Sequence, residues 1–376
     1  MEKTPTVYDV AARAGVSTAT VHRVFQAPDR VRDFTRDKVM AAVRELGYVP
    51  SASARGLAAR RTGVLGLFVP GLDELEDAED AVIAHGEPVT IVYDIPGTRD
   101  AAQANLYFDE VLRGCESEAR RRGFTLMLGT SSNRELESKL NDIAGRVDGV
   151  GVLAQSMPFE LLMHVARRVP VVVIAGPRRD DTFDHVSVSN SEGMRALTDH
   201  LIADHGISRL VYVGGPEGSP DDAERHEGVA AALRSHGLDP ESMPVLRADF
   251  SRVRARAVAW EITRSELPDA IVCGNDQMAL GVLEVFRERQ IRVPDDVIVT
   301  GFDGIEPGRQ STPRLTTVHQ PMYDLGRAAI RTMLSRLDGP GQPRIIERLP
   351  VRVLLRESCE GPARSAPAAR PAPPAR

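Results

Sequence analysis

From Gly63 onward, short apolar runs rich in valine and isoleucine alternate with longer amphipathic segments. This rhythm constrains the fold more than any other feature of the chain. The runs are Val64–Val69, Thr125–Leu128, Gly149–Leu153, Val171–Ile174, His185–Val188, Leu210–Val213, Ala270–Cys273 and Val297–Thr300. Between them, Phe108–Arg122, Glu192–His205, Ala223–His236, Arg252–Ser265 and Gln277–Arg289 carry helical periodicity. A strand apolar on both faces is buried on both faces, and strand–helix alternation builds a parallel sheet covered by helices. The predicted fold class is α/β, and the repeat is long enough for two lobes of parallel sheet.

The first 47 residues have a different texture and read as three short helices. Thr6 is a candidate N-cap with Asp9 as its capping-box partner, and Val7, Val10, Ala11 and Ala14 form one apolar face. Gly15 breaks that helix. Ser17 caps a second helix, Ala19–Phe25, and Thr35 is expected to open a third, whose C-terminal stop is Gly47. Helix, glycine turn and helix, with valines at positions 10, 16, 21 and 24 as anchors, spell a helix-turn-helix. The second helix then presents Thr18, Ala19, His22 and Arg23 outward, where a helix lying in the major groove meets base edges. A three-helix bundle used for protein contacts fits the same pattern.

Charge supports the first of these. The chain carries −6 overall, yet residues 1–61 hold eleven Lys/Arg against six Asp/Glu, so the head is basic and the remainder acidic. Phosphate contacts need such a basic end.

Other classes are disfavoured. No apolar run approaches the roughly 18–20 residues that span a bilayer. Met1–Pro5 has no apolar stretch behind it, so no secretory signal is expected. Cys115, Cys273 and Cys359 show no redox or metal spacing, and they point to a reduced, cytoplasmic protein. The nine histidines are scattered, and His200 and His205 stand five apart rather than four, so no metal and no cofactor is expected. Gly214–Gly218 follows a strand but does not spell the dinucleotide fingerprint. There is no nucleophile elbow and no phosphate-cradling loop, so the chain is not expected to be an enzyme.

The stretch Thr6–Val21, with Thr35–Val39 and Glu45–Pro50, is similar to the signature of the Lac repressor (LacI/GalR) family. That resemblance implies a DNA-binding head over residues 1–50 and a hinge helix over 51–61. It further implies a two-lobed, periplasmic-binding-protein-like sensor. The first lobe is expected at 62–175 and 317–343, the second at 176–316 and 344–358. By the same resemblance Thr6, Tyr8, Ser17, Thr18, Ala19, Thr20, His22 and Arg23 contact DNA, with Thr18, Ala19 and Arg23 reading bases. His22 departs from the usual serine. Ala54-Arg55-Gly56-Leu57 resembles the hinge, so Leu57, with Ala54 and Ala58, enters the minor groove.

The resemblance continues to about Arg356. It implies that Phe108, Arg225, Phe250, Asn275, Asp303 and Gln320 bind a small effector, most simply a sugar or sugar-like metabolite. For single residues plainer readings stand beside this one: Asn275 as a helix cap, Phe250 as core, Arg225 paired with Glu224 or Glu227. Gly304 replaces the family's second aspartate. Ala175-Gly176 and Ser189 depart from it near the expected pocket. An acidic segment at about 72–102 looks like an insertion, and the Pro/Ala/Arg tail 361–376 reads as disordered. The expected partners are operator DNA, a small effector and a second copy of the chain, with no membrane. A corepressor-dependent regulator, an activator, or a sugar-binding protein without a DNA role are the alternatives.

Overall fold

The computed structural model describes residues 5–26, 28–48, 61–69, 106–130, 136–153, 158–176 and 181–360. The hinge residues Ala54, Leu57 and Ala58, the acidic insertion and the tail 361–376 lie outside the described residues. The chain divides into two compact units, Met1–Gly63 and Val64–Arg376.

In the head, α1 is Val7–Ala14, α2 is Thr18–Gln26 and α3 is Asp33–Leu46. A capping box closes the start of α1: the Asp9 amide donates to the Thr6 hydroxyl, and the Thr6 amide donates to the Asp9 carboxylate at 2.8 Å. Such a cap stabilises a helix by about 1 kcal/mol. Gly15, in the left-handed region, ends α1, and the Ser17 hydroxyl accepts from the Thr20 amide at 3.2 Å to open α2. Val10, Ala11, Ala14, Val21, Val24, Val39 and Ala42 are buried together, with Val16 packed against them. The third helix begins at Asp33, not at Thr35, with no side-chain cap. The amides of Thr35 and Arg36 bond directly to the Arg32 carbonyl, so the backbone starts this turn without a hydroxyl.

The body contains two six-stranded sheets. In chain order the strands of the first are β1 (Val64–Phe68), β2 (Thr125–Gly129), β3 (Gly149–Leu153), β4 (Val171–Ile174), β5 (Asp184–Val188) and β11 (Ile346–Leu349). Their spatial order is β11-β5-β4-β3-β1-β2 and every pairing is parallel. The second sheet holds β6 (Leu210–Gly214), β7 (Val245–Arg247), β8 (Ala270–Cys273), β9 (Ile298–Asp303), β10 (Thr316–His319) and β12 (Arg352–Leu354). Its order is β12-β10-β9-β8-β6-β7, and β12 runs antiparallel to β10. The helices α4 (Leu106–Arg121), α5 (Leu136–Ala144), α6 (Phe159–Ala166) and α12 (Met322–Asp338) cover the first sheet. Four further helices belong to the second lobe: α7 (Asn190–His205), α8 (Pro220–Ser235), α9 (Arg252–Ile262) and α10 (Asp276–Glu288). A short helix, α11 (Glu306–Gln310), follows β9.

This topology moves the expected lobe boundaries. β5 belongs to the first sheet, so the first crossing falls at Ser189 rather than after residue 175. β10 pairs with β9, so the second crossing comes at Gln320–Pro321, not before residue 317. β11 pairs with β5 and returns the chain to the first lobe, which the reading of 344–358 as second lobe did not foresee. A strand's own residues state that it is buried, not which neighbour it pairs with. β7, β10, β11 and β12 escaped the strand reading: β7, β11 and β12 are short and partly exposed, and β10, though buried, is mostly polar, Thr316-Thr317-Val318-His319.

Candidate functional site

In open α/β sheets, ligands meet the carboxyl ends of the strands, because that is where loops and helix N-termini converge. In the second lobe those ends carry Gly214-Gly215 after β6, Gly274-Asn275 after β8, Asp303 closing β9 and Gln320 after β10. Arg225 is delivered from α8. That helix lies close against α7: a Cβ on Gly228 would stand 2.3 Å from the Ser191 carbonyl oxygen. The close approach brings Arg225 to Asn190, the first residue of α7.

Arg225 is almost fully buried. Its Nε donates to Asn190 Oδ1 at 2.9 Å and its Nη1 to the Gly274 carbonyl at 2.7 Å. Nη1 also lies 3.9 Å from Asp303 Oδ1. The guanidinium stacks on Phe302, 3.8 Å from the ring centroid, with Phe250 at 5.8 Å. Neither of its own-helix carboxylates takes it: Glu227 pairs with Arg234, and Glu224 with Arg348. Asn190 in turn donates to Asp221 Oδ1 at 2.9 Å.

Asp303 is held at φ 117, a conformation side chains rarely adopt and one that costs backbone energy. Its Oδ1 accepts from Gln320 Nε2 at 2.6 Å. Burial pushes its carboxyl above the usual aspartate range, against the pull of Arg225 and the Gln320 bond. Asp276 is raised as well, by burial first and by Asp303 second. It accepts from the Thr317 hydroxyl at 2.6 Å and from the Gly304 and Ile305 amides, tying α10 to the turn after β9. That turn requires glycine at 304: φ is +77, and a Cβ would stand 2.4 Å from the His319 ring.

The other expected effector residues take varied places. Asn275 caps α10, its Oδ1 accepting from the Met278 amide at 2.9 Å, while Nδ2 reaches the Phe250 carbonyl at 3.4 Å. The plainer reading of Asn275 is therefore realised in its oxygen. Phe250, with φ 59, lies over Gly215, where a Cβ would meet the ring at 2.3 Å. Phe108 is half-buried near the start of α4, its ring edge-on to Tyr107 at 5.5 Å. Tyr107 is the more informative neighbour. Burial raises its hydroxyl well above the usual range; Asp221 and Asp303 raise it further and Arg225 opposes them. A first-lobe phenol thus lies within electrostatic reach of the second lobe's charged set. Sequence reasoning missed Tyr107, Asn190, Asp221, Asp276 and Phe302. Their one shared signal was position next to a strand's carboxyl end or at a helix start.

In the head, Ala19 and Arg23 are exposed, and Thr18, Thr20 and His22 half-buried. Positions 18, 19, 22 and 23 share one face of α2, while Val21 and Val24 bury the other. Tyr8 is 73% exposed. The hydroxyl of Thr6 is engaged with Asp9 at 2.6 Å, and that of Ser17 with Thr20 at 2.9 Å.

A helix-turn-helix head and a two-lobed body with a polar, charged set at its strand ends define a ligand-responsive regulator that binds DNA. The family model "Bacterial regulatory proteins, lacI family" matches residues 6–51, and the model "Periplasmic binding protein-like domain" matches 198–359. The HTH-type transcriptional repressor PurR of Vibrio parahaemolyticus is 32% identical over 358 residues, 93% of this chain and 97% of that protein. Catabolite control protein A of Priestia megaterium is 29% identical over 359 residues, covering 94% and 98%. The chain belongs to the LacI family of bacterial transcription regulators. It is a DNA-binding regulator controlled by a small effector, not an enzyme.

Two solved structures extend the likeness. The transcriptional regulator CelR in complex with cellobiose superposes with TM-score 0.66 at 29% identity, covering 94% of this chain and 99% of that one. The Lac repressor dimer bound to operator and the anti-inducer ONPF superposes with TM-score 0.76 at 24% identity, covering 95% and 99%. Among the described residues no helix is long and apolar enough to cross a membrane.

Proposed function

We propose that this protein is a cytoplasmic, homodimeric repressor whose effector is an uncharged, hydroxyl-rich, carbohydrate-like molecule held between the lobes. The observation that carries this is the buried Arg225–Asp303 contact, flanked by Asn190, Gln320 and the Phe250 ring. A carboxylate accepts from paired hydroxyls, a guanidinium and an amide donate to ring and hydroxyl oxygens, and an aromatic face covers the apolar side of a ring. With Glu224 paired to Arg348, Asp221 and Asp303 still outnumber Arg225, which disfavours an anionic effector. The cellobiose held by CelR is of the class this pocket suits.

Thr18, Ala19 and Arg23 read base edges, with an arginine fork on guanine worth about 1–3 kcal/mol of discrimination. Tyr8, Thr6, Ser17, Thr20 and His22 contact phosphate or groove walls. The hinge residues Ala54, Leu57 and Ala58 enter the minor groove. Two-fold symmetry in the protein implies a pseudo-palindromic operator. Effector binding shifts the lobe arrangement only by its differential affinity for the two states.

Selection of sites from a random DNA pool tests this reading. Enrichment of a pseudo-palindrome with a deformable central step supports head, hinge and dimer together. Repeating the selection with pooled sugars and nucleosides separates induction, in which enrichment falls, from corepression, in which it appears. No enrichment in either condition at low salt would overturn the assignment of the reading residues.

A further inference from the structure

Away from the cleft, the far end of α7 meets the last described residues of the chain. His205 is the final residue of α7, before Gly206 in the left-handed conformation, and His200 lies five positions earlier. Their rings stand edge to face at 5.1 Å, and the two Nε2 atoms share a hydrogen bond of 3.3 Å. Cys359 arrives from beyond β12, and its sulfur is fully buried. The three ligand-capable atoms lie within 4.8 Å of one another.

We propose that His200, His205 and Cys359 form a binding site for a borderline-soft divalent cation of the zinc class.

Three features of the geometry carry the proposal. Zinc–nitrogen bonds of about 2.0–2.1 Å at tetrahedral angles put two ligand nitrogens about 3.3 Å apart. The imidazole nitrogens already stand at 3.3 Å. A sulfur in the same tetrahedron belongs about 3.5 Å from each nitrogen, so Cys359 closes by little more than about 1 Å. Second, His200 is oriented for ligation. Its Nδ1 lies 2.6 Å from Asp204 Oδ2, so that nitrogen carries the proton and Nε2 offers its lone pair. Third, the Thr316 hydroxyl lies 3.0 Å from Sγ and 3.0 Å from the Arg356 carbonyl, and its one proton favours thiolate over thiol when it is turned to the sulfur. Burial opposes that and raises the Cys359 thiol, so metal binding releases the thiol proton to solvent, and His205 takes the tautomer protonated at Nδ1 so that its Nε2 can ligate. The half-exposed imidazoles leave one side of the tetrahedron to water, and two nitrogens with one thiolate suit zinc better than magnesium or calcium. An occupied site would fasten the segment after β12 to α7, whose other end holds Asn190 against Arg225.

Full-length, tag-free protein, reduced and stripped of metal with chelator, is titrated with Co2+ as an optical probe and then with Zn2+. The expected result is one equivalent of Co2+ per chain, with a thiolate-to-metal charge-transfer band that Zn2+ bleaches. Cys359→Ser abolishes the band, and His200→Gln and His205→Gln each weaken binding at least tenfold. Circular dichroism and operator binding check the fold of each variant. Because His200 is partly exposed, its variant keeps the test intact if the buried cysteine tolerates no change. No charge-transfer band in the folded wild type overturns the site. So does a band whose affinity is unchanged in both histidine variants.

Discussion

Asp303→Asn is predicted to separate effector affinity from stability and to move them in different directions. The substitution keeps the shape and an oxygen that accepts from Gln320 Nε2, now 2.6 Å from Oδ1. It removes the charge. A hydrogen bond to a charged group contributes about 1.5–3 kcal/mol, so one effector hydroxyl on this carboxylate corresponds to roughly 10- to 150-fold in affinity. Two hydroxyls on the same carboxylate would raise the loss further. Stability should respond otherwise. Burial raises the carboxyl of Asp303, so the folded protein holds that proton more tightly than the unfolded chain. Its contribution to stability is therefore full below the ordinary aspartate value and is lost as pH rises through the raised one. An asparagine carries no such loss, and the melting temperature of the variant at pH 8 should equal or exceed that of the wild type. The assay is isothermal titration with the strongest hit from a sugar and nucleoside panel, beside melting curves at pH 5 and pH 8. Affinity within twofold of the wild type would refute Asp303 as an effector contact. A large drop in melting temperature at pH 8 would show that its role is structural.

Further expectations follow from the same geometry. Wild-type effector affinity should rise with pH from the ordinary aspartate range toward neutrality, because hydroxyl donors prefer the ionised Asp303; calorimetry showing weaker binding at higher pH would contradict this. Gly228→Ala forces a Cβ to 2.3 Å from the Ser191 carbonyl and should cost about 1–3 kcal/mol, read as a lower denaturant midpoint, together with weaker effector binding as Arg225 and Asn190 separate. Arg23→Ala should flatten sequence preference in a randomised-site selection while leaving non-specific binding at low salt within a few fold; unchanged preference would remove Arg23 from the reading face. Thr6→Ala deletes one half of the capping box and should destabilise the head by about 1 kcal/mol, measured by hydrogen exchange in α1.

How far the sequence reached can be told from individual elements. The capping box at Thr6 and Asp9, the turn at Gly15 and the stop at Gly47 depend on neighbours within a few positions, so local sequence specified them. The central strands β1, β3, β4, β6 and β8 announced themselves because burial on both faces demands unbroken apolar runs, whereas β2 was legible as an apolar run although it is partly exposed. Arg225, Phe250, Asn275, Asp303 and Gln320 were singled out by resemblance, but what each touches was not readable. Asn275 proved to spend its oxygen on a helix cap, and Arg225 to leave its own helix for Asn190 and Gly274.

Pairing and convergence were decided by the tertiary structure. Which sheet receives β5, β10 and β11 depends on long-range register, and a strand's composition is the same whichever partner it finds. Tyr107 comes within electrostatic reach of Asp221 and Asp303 because residues of the two lobes pack into one core, not because of any spacing between positions 107, 221 and 303. His200 and His205, five apart, carry no metal pattern in sequence. Cys359 joins them only because β12 pairs antiparallel with β10 and carries the chain back to the end of α7. Local periodicity and capping act over a few residues and are written in the sequence. The chemistry of a site arises where distant segments are brought within a few ångströms, and only the folded chain fixes that.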